Sequence, residues 1–293
     1  MALGGSAGIP LAWRSAERSK PAQRRCFFLH AKSERSSMRK VDVVGEQLPP
    51  GGNVPKLRQP GNCQRLRSNR LNGEMMMVEK LLKSLEDVAD PAHTALIIID
   101  PQHDFCSERG ALAQRFGLDM TDIQAAVPRL NSFIEECRNS GILVVWIREV
   151  FSDDKMRSNQ KALWGGGKDI WLIPEGGKGT DWYEKMTPPK PGEPIITKWQ
   201  YDGFEDTDLH LLLQGRGIKT LLMTGFTTNV CVETTARHGY IKGYYIVLVS
   251  DCAAAPTRSE HEAGVFNIKT YFGHVTTSDY LAGIWHEAPA KVA

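Results

Sequence analysis

The sequence predicts an α/β protein: a three-layer α/β/α sandwich around a six-stranded, mostly parallel, Rossmann-like sheet. Two observations carry that prediction. Short, nearly continuous apolar runs such as "HTALIIID", "ILVVWIREV" and "KTLLMTGF" recur along the chain, as expected of strands covered on both faces. Amphipathic segments of helical period lie between them, so each crossover helix brings the next strand back parallel to the last.

Taken in order, "MVEKLLKSLEDV" reads as a short helix and "HTALIIID" as the first strand, bounded by Pro101. "DIQAAVPRLNSFIEECRNSG" is a helix with Asp119 or Thr121 near its start and Gly141 after its end, and Pro128 argues for a first turn later than the apolar pattern suggests. "ILVVWIREV" is the second strand. The stretch 151–193, with "WGGGKDIW", "EGGKGTDW" and "TPPKPGE", holds too much Gly and Pro for regular structure and reads as a functional excursion over the strand ends. "PIITK" is a third strand, "TDLHLLLQGRG" a helix, "KTLLMTGF" a fourth strand and "VCVETTARHGYIKG" a helix. "YYIVLVSDCAA" is a fifth strand, "RSEHEAGVFNIKTYFG" a helix, and "HVTTSDYL" a short sixth strand.

The chain of 293 residues, 41% of them hydrophobic, suffices for one full core with extensions. The net charge of +2 hides a basic stretch at the start, rich in Arg, Ser and Pro. Residues 1–72 read as a disordered basic leader and linker, and residues 73–290 as the folded domain. A leader of this composition without a long apolar run predicts a transit peptide to mitochondrion or plastid. A merely disordered leader, or a translated stretch ahead of a start at "MMMVEKLL", is the alternative, and the protein is then cytoplasmic. No membrane span and no interleaving of basic with aromatic residues is seen, so neither a membrane nor a nucleic-acid partner is expected. The six cysteines (Cys26, Cys63, Cys106, Cys137, Cys231, Cys252) form no CxxC pair and no zinc-like spacing, which points to a reducing interior.

In an open α/β sheet the ligand sits outside the carboxyl ends of the strands, so the residues just after each apolar run are the ones to inspect. Asp100 follows "ALIII", Lys198 follows "PIIT", and Cys231 comes shortly after "LLMTGF". A thiol at a helix start meets unsatisfied N–H groups and the positive end of the helix dipole, and a nearby cation lowers its pKa further from about 8.5. Lys198 is placed to be that cation. A carboxylate at Asp100 can take the thiol proton and later protonate a leaving amine, while helix-start N–H groups receive an oxyanion. Asp, Lys and Cys thus form an acyl-transfer set that needs no metal and no cofactor. Singly, each has a bland reading as turn cap, solvated strand end or core thiol; their coincidence at one sheet edge favours chemistry.

Three stretches, "IIIDPQHDF", "TKWQYDGFEDTDL" and "TGFTTNVCVETTARHGY", resemble in order and spacing the motifs of the isochorismatase-like cysteine hydrolases. That family contains nicotinamidases, N-carbamoylsarcosine amidases, biuret hydrolases and ureidoacrylate hydrolases. The similarity runs from about Thr94 to Leu281. It implies Asp100 as general acid/base, Lys198 as its cationic partner and Cys231 as nucleophile, with a cis peptide between Phe226 and Thr227 and the Thr227 and Cys231 N–H groups as oxyanion hole. It also implies a pocket drawn from Gln102, Phe105, Trp164, Tyr201 and Thr228, and a homo-oligomer. Trp164, Trp171 and Trp182 would form a lid or a subunit contact. For Gln102 and Phe105, a polar turn residue and a core aromatic are the competing readings. The nicotinamidase metal site of Asp and His is not matched, because "REVFSDDKMRSN" has no His. The look of "VCVETTARHGY" and "HEAGVFNIKTYFGHVTT" is nearest the ureidoacrylate and carbamoyl-amide hydrolases, which implies a small ureido or amide substrate. Cleavage of an isochorismate-like vinyl ether, or an idle family member kept as a binding or assembly module, are the competing functions.

Overall fold

The computed structural model describes residues 81–287. The expected leader, the first residues of the expected domain and the first four residues of its expected first helix lie outside them; the rest of that helix is helical only over Leu85–Val88, where the Ser84 side chain caps it. The sheet has strands β1 (Thr94–Ile99), β2 (Leu143–Glu149), β3 (Ile195–Lys198), β4 (Thr220–Phe226), β5 (Tyr245–Ala254) and β6 (Gly273–Thr276). Their order is β3-β2-β1-β4-β5-β6 and every pairing is parallel. The expected "mostly parallel" sheet is therefore wholly parallel, and its order reverses between β1 and β4.

Nine helices are seen among the described residues: α1 (Leu85–Val88), α2 (His103–Cys106), α3 (Ala111–Phe116), α4 (Thr121–Asn139), α5 (Ser158–Trp164), α6 (Leu209–Gly215), α7 (Glu233–Ile241), α8 (Arg258–Tyr271) and α9 (Ser278–Glu287). None is long and apolar enough to cross a membrane. Alternation along the strands splits the core in two. Leu96 and Ile98 face one cluster, which α4 and α9 cover with Ile123, Leu130, Ile134 and Leu281. Ala95, Ile97 and Ile99 face the other, closed by Leu209 and Leu213 of α6, Ala236 of α7 and Ile268 of α8. The three expected layers follow directly.

Two boundaries differ from the sequence reading. Helix α4 begins at Thr121 and runs through Pro128 without a later start. An internal proline costs about 3 kcal/mol, but the helix buries a stripe that includes Ile123, Val127, Leu130, Phe133 and Ile134, each large side chain contributing about 1.5–3 kcal/mol. Packing wins over propensity. "HVTTSDYL" is a strand only to Thr276; Ser278 opens α9, held by its N–H and hydroxyl on the Asp251 carboxylate at 2.8 and 2.6 Å.

The excursion 151–193 is less irregular than expected. It carries α5, two single 3₁₀ turns and two isolated bridges, Gln102 to Trp182 and Phe151 to Pro174. Its aromatic residues pack downward. Trp182 lies 5.4 Å from Trp146, and Trp171 lies 5.7 Å from Phe116 beneath the Arg115 guanidinium. The Asp104 carboxylate pins the excursion by accepting from the Ile173 and Ala111 N–H groups.

Candidate active site

Strand register builds the site. Glu149 pairs with Lys198 across β2 and β3, and the Asp100 N–H just beyond β1 donates to the Ile147 carbonyl at 2.9 Å. Asp100 takes φ 52°, a left-handed conformation that Asp tolerates better than most residues. Beside it, Gly225 in β4 has φ 103°, and a Cβ there would meet the Ile99 carbonyl at 2.1 Å, so only glycine lets the two central strands end this close. The Phe226–Thr227 peptide is cis. A π turn over Thr228–Val232 then leads into α7 and carries Cys231 over the strand ends.

Asp100, Lys198 and Cys231 meet, and a fourth residue, Glu149, stands among them. Lys198 Nζ lies 2.9 Å from Asp100 Oδ2 and 3.2 Å from Glu149 Oε2, and it donates to the Gln200 carbonyl at 3.0 Å. Three oxygens thus match the three donors of an ammonium. The Cys231 thiol donates to Glu149 Oε2 at 3.6 Å. Asp100 and Lys198 are fully buried, Glu149 is 1% exposed and Cys231 4%.

Burial governs the electrostatics. It raises the Asp100 carboxyl despite the opposing Lys198 charge, and it lifts the Glu149 carboxyl to about 7, with Lys198 pulling down and Asp100 pushing further up. For Lys198 burial acts downward, yet Asp100, Cys231 and Glu149 together hold the ammonium above its ordinary value. The expected lowered thiol pKa is not found. Burial pushes Cys231 well above its ordinary value; Lys198 opposes this, but the Glu149 and Asp100 charges add to it. That direction favours the neutral thiol over the thiolate.

Asp100, Glu149 and Cys231 offer ligand atoms within 4.8 Å of one another, the composition of a metal site. The Lys198 ammonium already contacts both carboxylates, so the place of a cation is taken by a side chain.

The expected pocket residues divide. Tyr201 lies beside the site: burial, then the Glu149 charge, push its phenol up to about 12. Trp164 itself is half-buried against Trp171 and Phe151, at 5.3 and 6.2 Å. Gln102 is fully buried, with its side-chain amide on main-chain groups. Its Nε2 donates to the Glu149 and Thr180 carbonyls at 2.9 and 3.1 Å while its Oε1 accepts from the Glu149 N–H at 2.8 Å, which uses both of its donors. Phe105 is a core aromatic, and the buried Thr228 pairs its hydroxyl with His261 Nδ1 at 2.9 Å. The Thr227 carbonyl accepts from the Val230 and Val232 N–H groups, the residues on either side of Cys231. Glu149 was missed in the sequence, although "ILVVWIREV" ends on a carboxylate by the same rule that singles out Asp100.

Over residues 94–280 the chain matches the isochorismatase domain. It belongs to the isochorismatase family. A ureidoacrylate amidohydrolase, RutB, of Enterobacter sp. (strain 638) is 31% identical over 229 residues, 69% of this chain and 94% of that protein. Among solved structures, an isochorismatase-like hydrolase from Alkaliphilus metalliredigens superposes with a TM-score of 0.53 at 29% identity, covering 66% of this chain and 99% of that one. A cysteine hydrolase from Pseudomonas syringae pv. phaseolicola shares the fold, with a TM-score of 0.62 at 24% identity over 73% of this chain and 100% of that one. The fold and the sheet-edge site of this family member therefore agree with the three sequence motifs.

Proposed function

We propose that this family member is a cysteine-dependent amidohydrolase that cleaves a C–N bond of a small ureido, carbamoyl or carboxamide compound. Cys231 attacks the carbonyl carbon, the Thr227 and Cys231 amides receive the oxyanion, and the amine leaves with a proton delivered through Asp100. Water then releases the acyl or carbamoyl group from sulfur. Lys198 holds the carboxylates in place and balances their charge. The observation that carries this reading is a buried thiol 3.6 Å from a carboxylate that is itself paired with a buried lysine. Such a set supplies nucleophile, proton acceptor and charge balance from side chains alone. The likeness to a ureidoacrylate amidohydrolase supports a ureido compound as the first substrate class to try.

The test is ammonia release from ureidoacrylate, biuret, N-carbamoylsarcosine and nicotinamide by the full chain and by its Cys231→Ala form. Release by the intact protein, lost in the variant by at least about 10⁴-fold, is expected when a nucleophile is removed. Ammonia release that survives without the thiol would overturn the cysteine-dependent mechanism.

A further inference from the structure

Glu149 lies outside the Asp100, Lys198 and Cys231 set, yet the thiol donates to its Oε2, while an Asp100 oxygen stands within 4.8 Å of the sulfur as the second carboxylate. One oxygen, Oε2, receives both Cys231 Sγ at 3.6 Å and Lys198 Nζ at 3.2 Å, and Lys198 reaches on to Asp100 Oδ2 at 2.9 Å. The four groups form a chain from sulfur to Asp100. Gln102 clamps the Glu149 backbone from both its N–H and its carbonyl, so this carboxylate springs from a fixed point. The other titratable groups acting on it are Asp100 beyond β1, Lys198 of β3, Tyr201 beyond β3 and Cys231 of the π turn.

The geometry points to Glu149 as the group that takes the Cys231 proton, a second catalytic carboxylate beside Asp100. For its substrate chemistry the inference rests on the amidohydrolase reading. The S–H bond breaks and an O–H bond forms at Glu149 Oε2; the sulfur pair forms the S–C bond, and the carbonyl π pair moves to oxygen. As the C–N bond breaks, Asp100 hands the departing nitrogen a proton taken from Lys198 while Glu149 returns one to Lys198 in the same step, so the ammonium stays charged and the thiol proton ends on the leaving amine. Water reverses the sequence. Its proton returns along the same chain to sulfur, so both carboxylates and the ammonium end as they began. With the Glu149 carboxyl lifted to about 7 by burial, the thiol can lose its proton only once that carboxyl has ionised, which gives the reaction a limb near that pH.

The experiment follows alkylation of the Cys231 peptide by iodoacetamide, read by mass spectrometry from about pH 6 to about pH 9, together with ammonia release. It compares the full-length wild type with Glu149→Gln, Glu149→Asp and Asp100→Asn. Wild-type alkylation should climb through a limb near 7. Glu149→Gln should lose that limb and about 100-fold or more of the ammonia release. Asp100→Asn should keep a limb, moved to lower pH because the Asp100 charge no longer raises Glu149, while losing turnover. An unchanged limb in folded Glu149→Gln, or a limb lost only in Asp100→Asn, would overturn the assignment. If the Gln form does not fold, Glu149→Asp decides, because the shorter side chain withdraws from sulfur and must lower the alkylation plateau; an unchanged plateau contradicts the inference. Ammonia silence from the wild type would count against the amidohydrolase reading, while the alkylation arm still judges Glu149.

Discussion

The carboxyl ends of β4 and β5 each hold a buried thiol, and the two are alike in almost everything but their neighbours. Cys231 beyond β4 is 4% exposed and Cys252 in β5 fully buried. Burial is the first cause raising both pKa values. Cys252 faces Asp251 and Ser278 within a packed cluster, with the Arg129 charge more remote. Cys231 has Lys198, Glu149 and Asp100 around it. Burial alone does not distinguish the two; what separates them is a carboxylate that accepts from the Cys231 thiol and a lysine that holds that carboxylate.

That contrast can be broken from either side. The largest effect is expected from Lys198→Met, which leaves the Asp100 and Glu149 carboxylates buried without their cation. Removing one partner of a buried pair costs about 3–5 kcal/mol, so chemical denaturation should show a marked loss of stability, and ammonia release should disappear with it. A stable, active Lys198→Met form would mean that the carboxylates do not depend on the ammonium.

A smaller effect belongs to Gln102→Leu. It strips the Glu149 N–H and carbonyl of their side-chain partner, at about 1–3 kcal/mol for a buried group left unsatisfied, and it loosens the carboxylate beside the thiol. Denaturant unfolding and steady-state kinetics should show reduced stability and reduced turnover together. The smallest belongs to Cys252→Ala, expected to cost about 1 kcal/mol by leaving a small void while turnover stays at the wild-type level. A large loss of turnover there would erase the distinction between the two thiols.

Asp100, Lys198 and Cys231 were legible because the geometry of parallel sheets maps strand ends onto one edge, and an apolar run announces each strand end. Glu149 obeys the same rule, but only the strand register sets it against Lys198. The bonding of Gln102 was not legible for a deeper reason. Its partners are the backbone groups of Glu149 and Thr180, and main-chain polarity is the same at every residue of the sequence. Pro128 and α9 show propensity and burial in competition. A proline is carried inside α4 by the apolar stripe around it, and "SDYL" folds as helix after Thr277, whose hydroxyl accepts from the Tyr280 N–H at 3.4 Å, a capping signal present in the sequence. The excursion 151–193 could be named as irregular but not traced, since its course is fixed by the Asp104 carboxylate and by aromatic contacts between distant residues.

In the proposed reaction Cys231 forms a covalent bond to the substrate carbonyl. The most direct measurement is acid quenching of the enzyme during turnover of whichever ureido or amide compound releases ammonia, followed by the mass of the Cys231 peptide. A peptide heavier by the acyl or carbamoyl group, absent in Cys231→Ala, is the predicted result. An unmodified Cys231 at every quench time, in an enzyme that is turning over and shows a burst of the leaving amine, would contradict it.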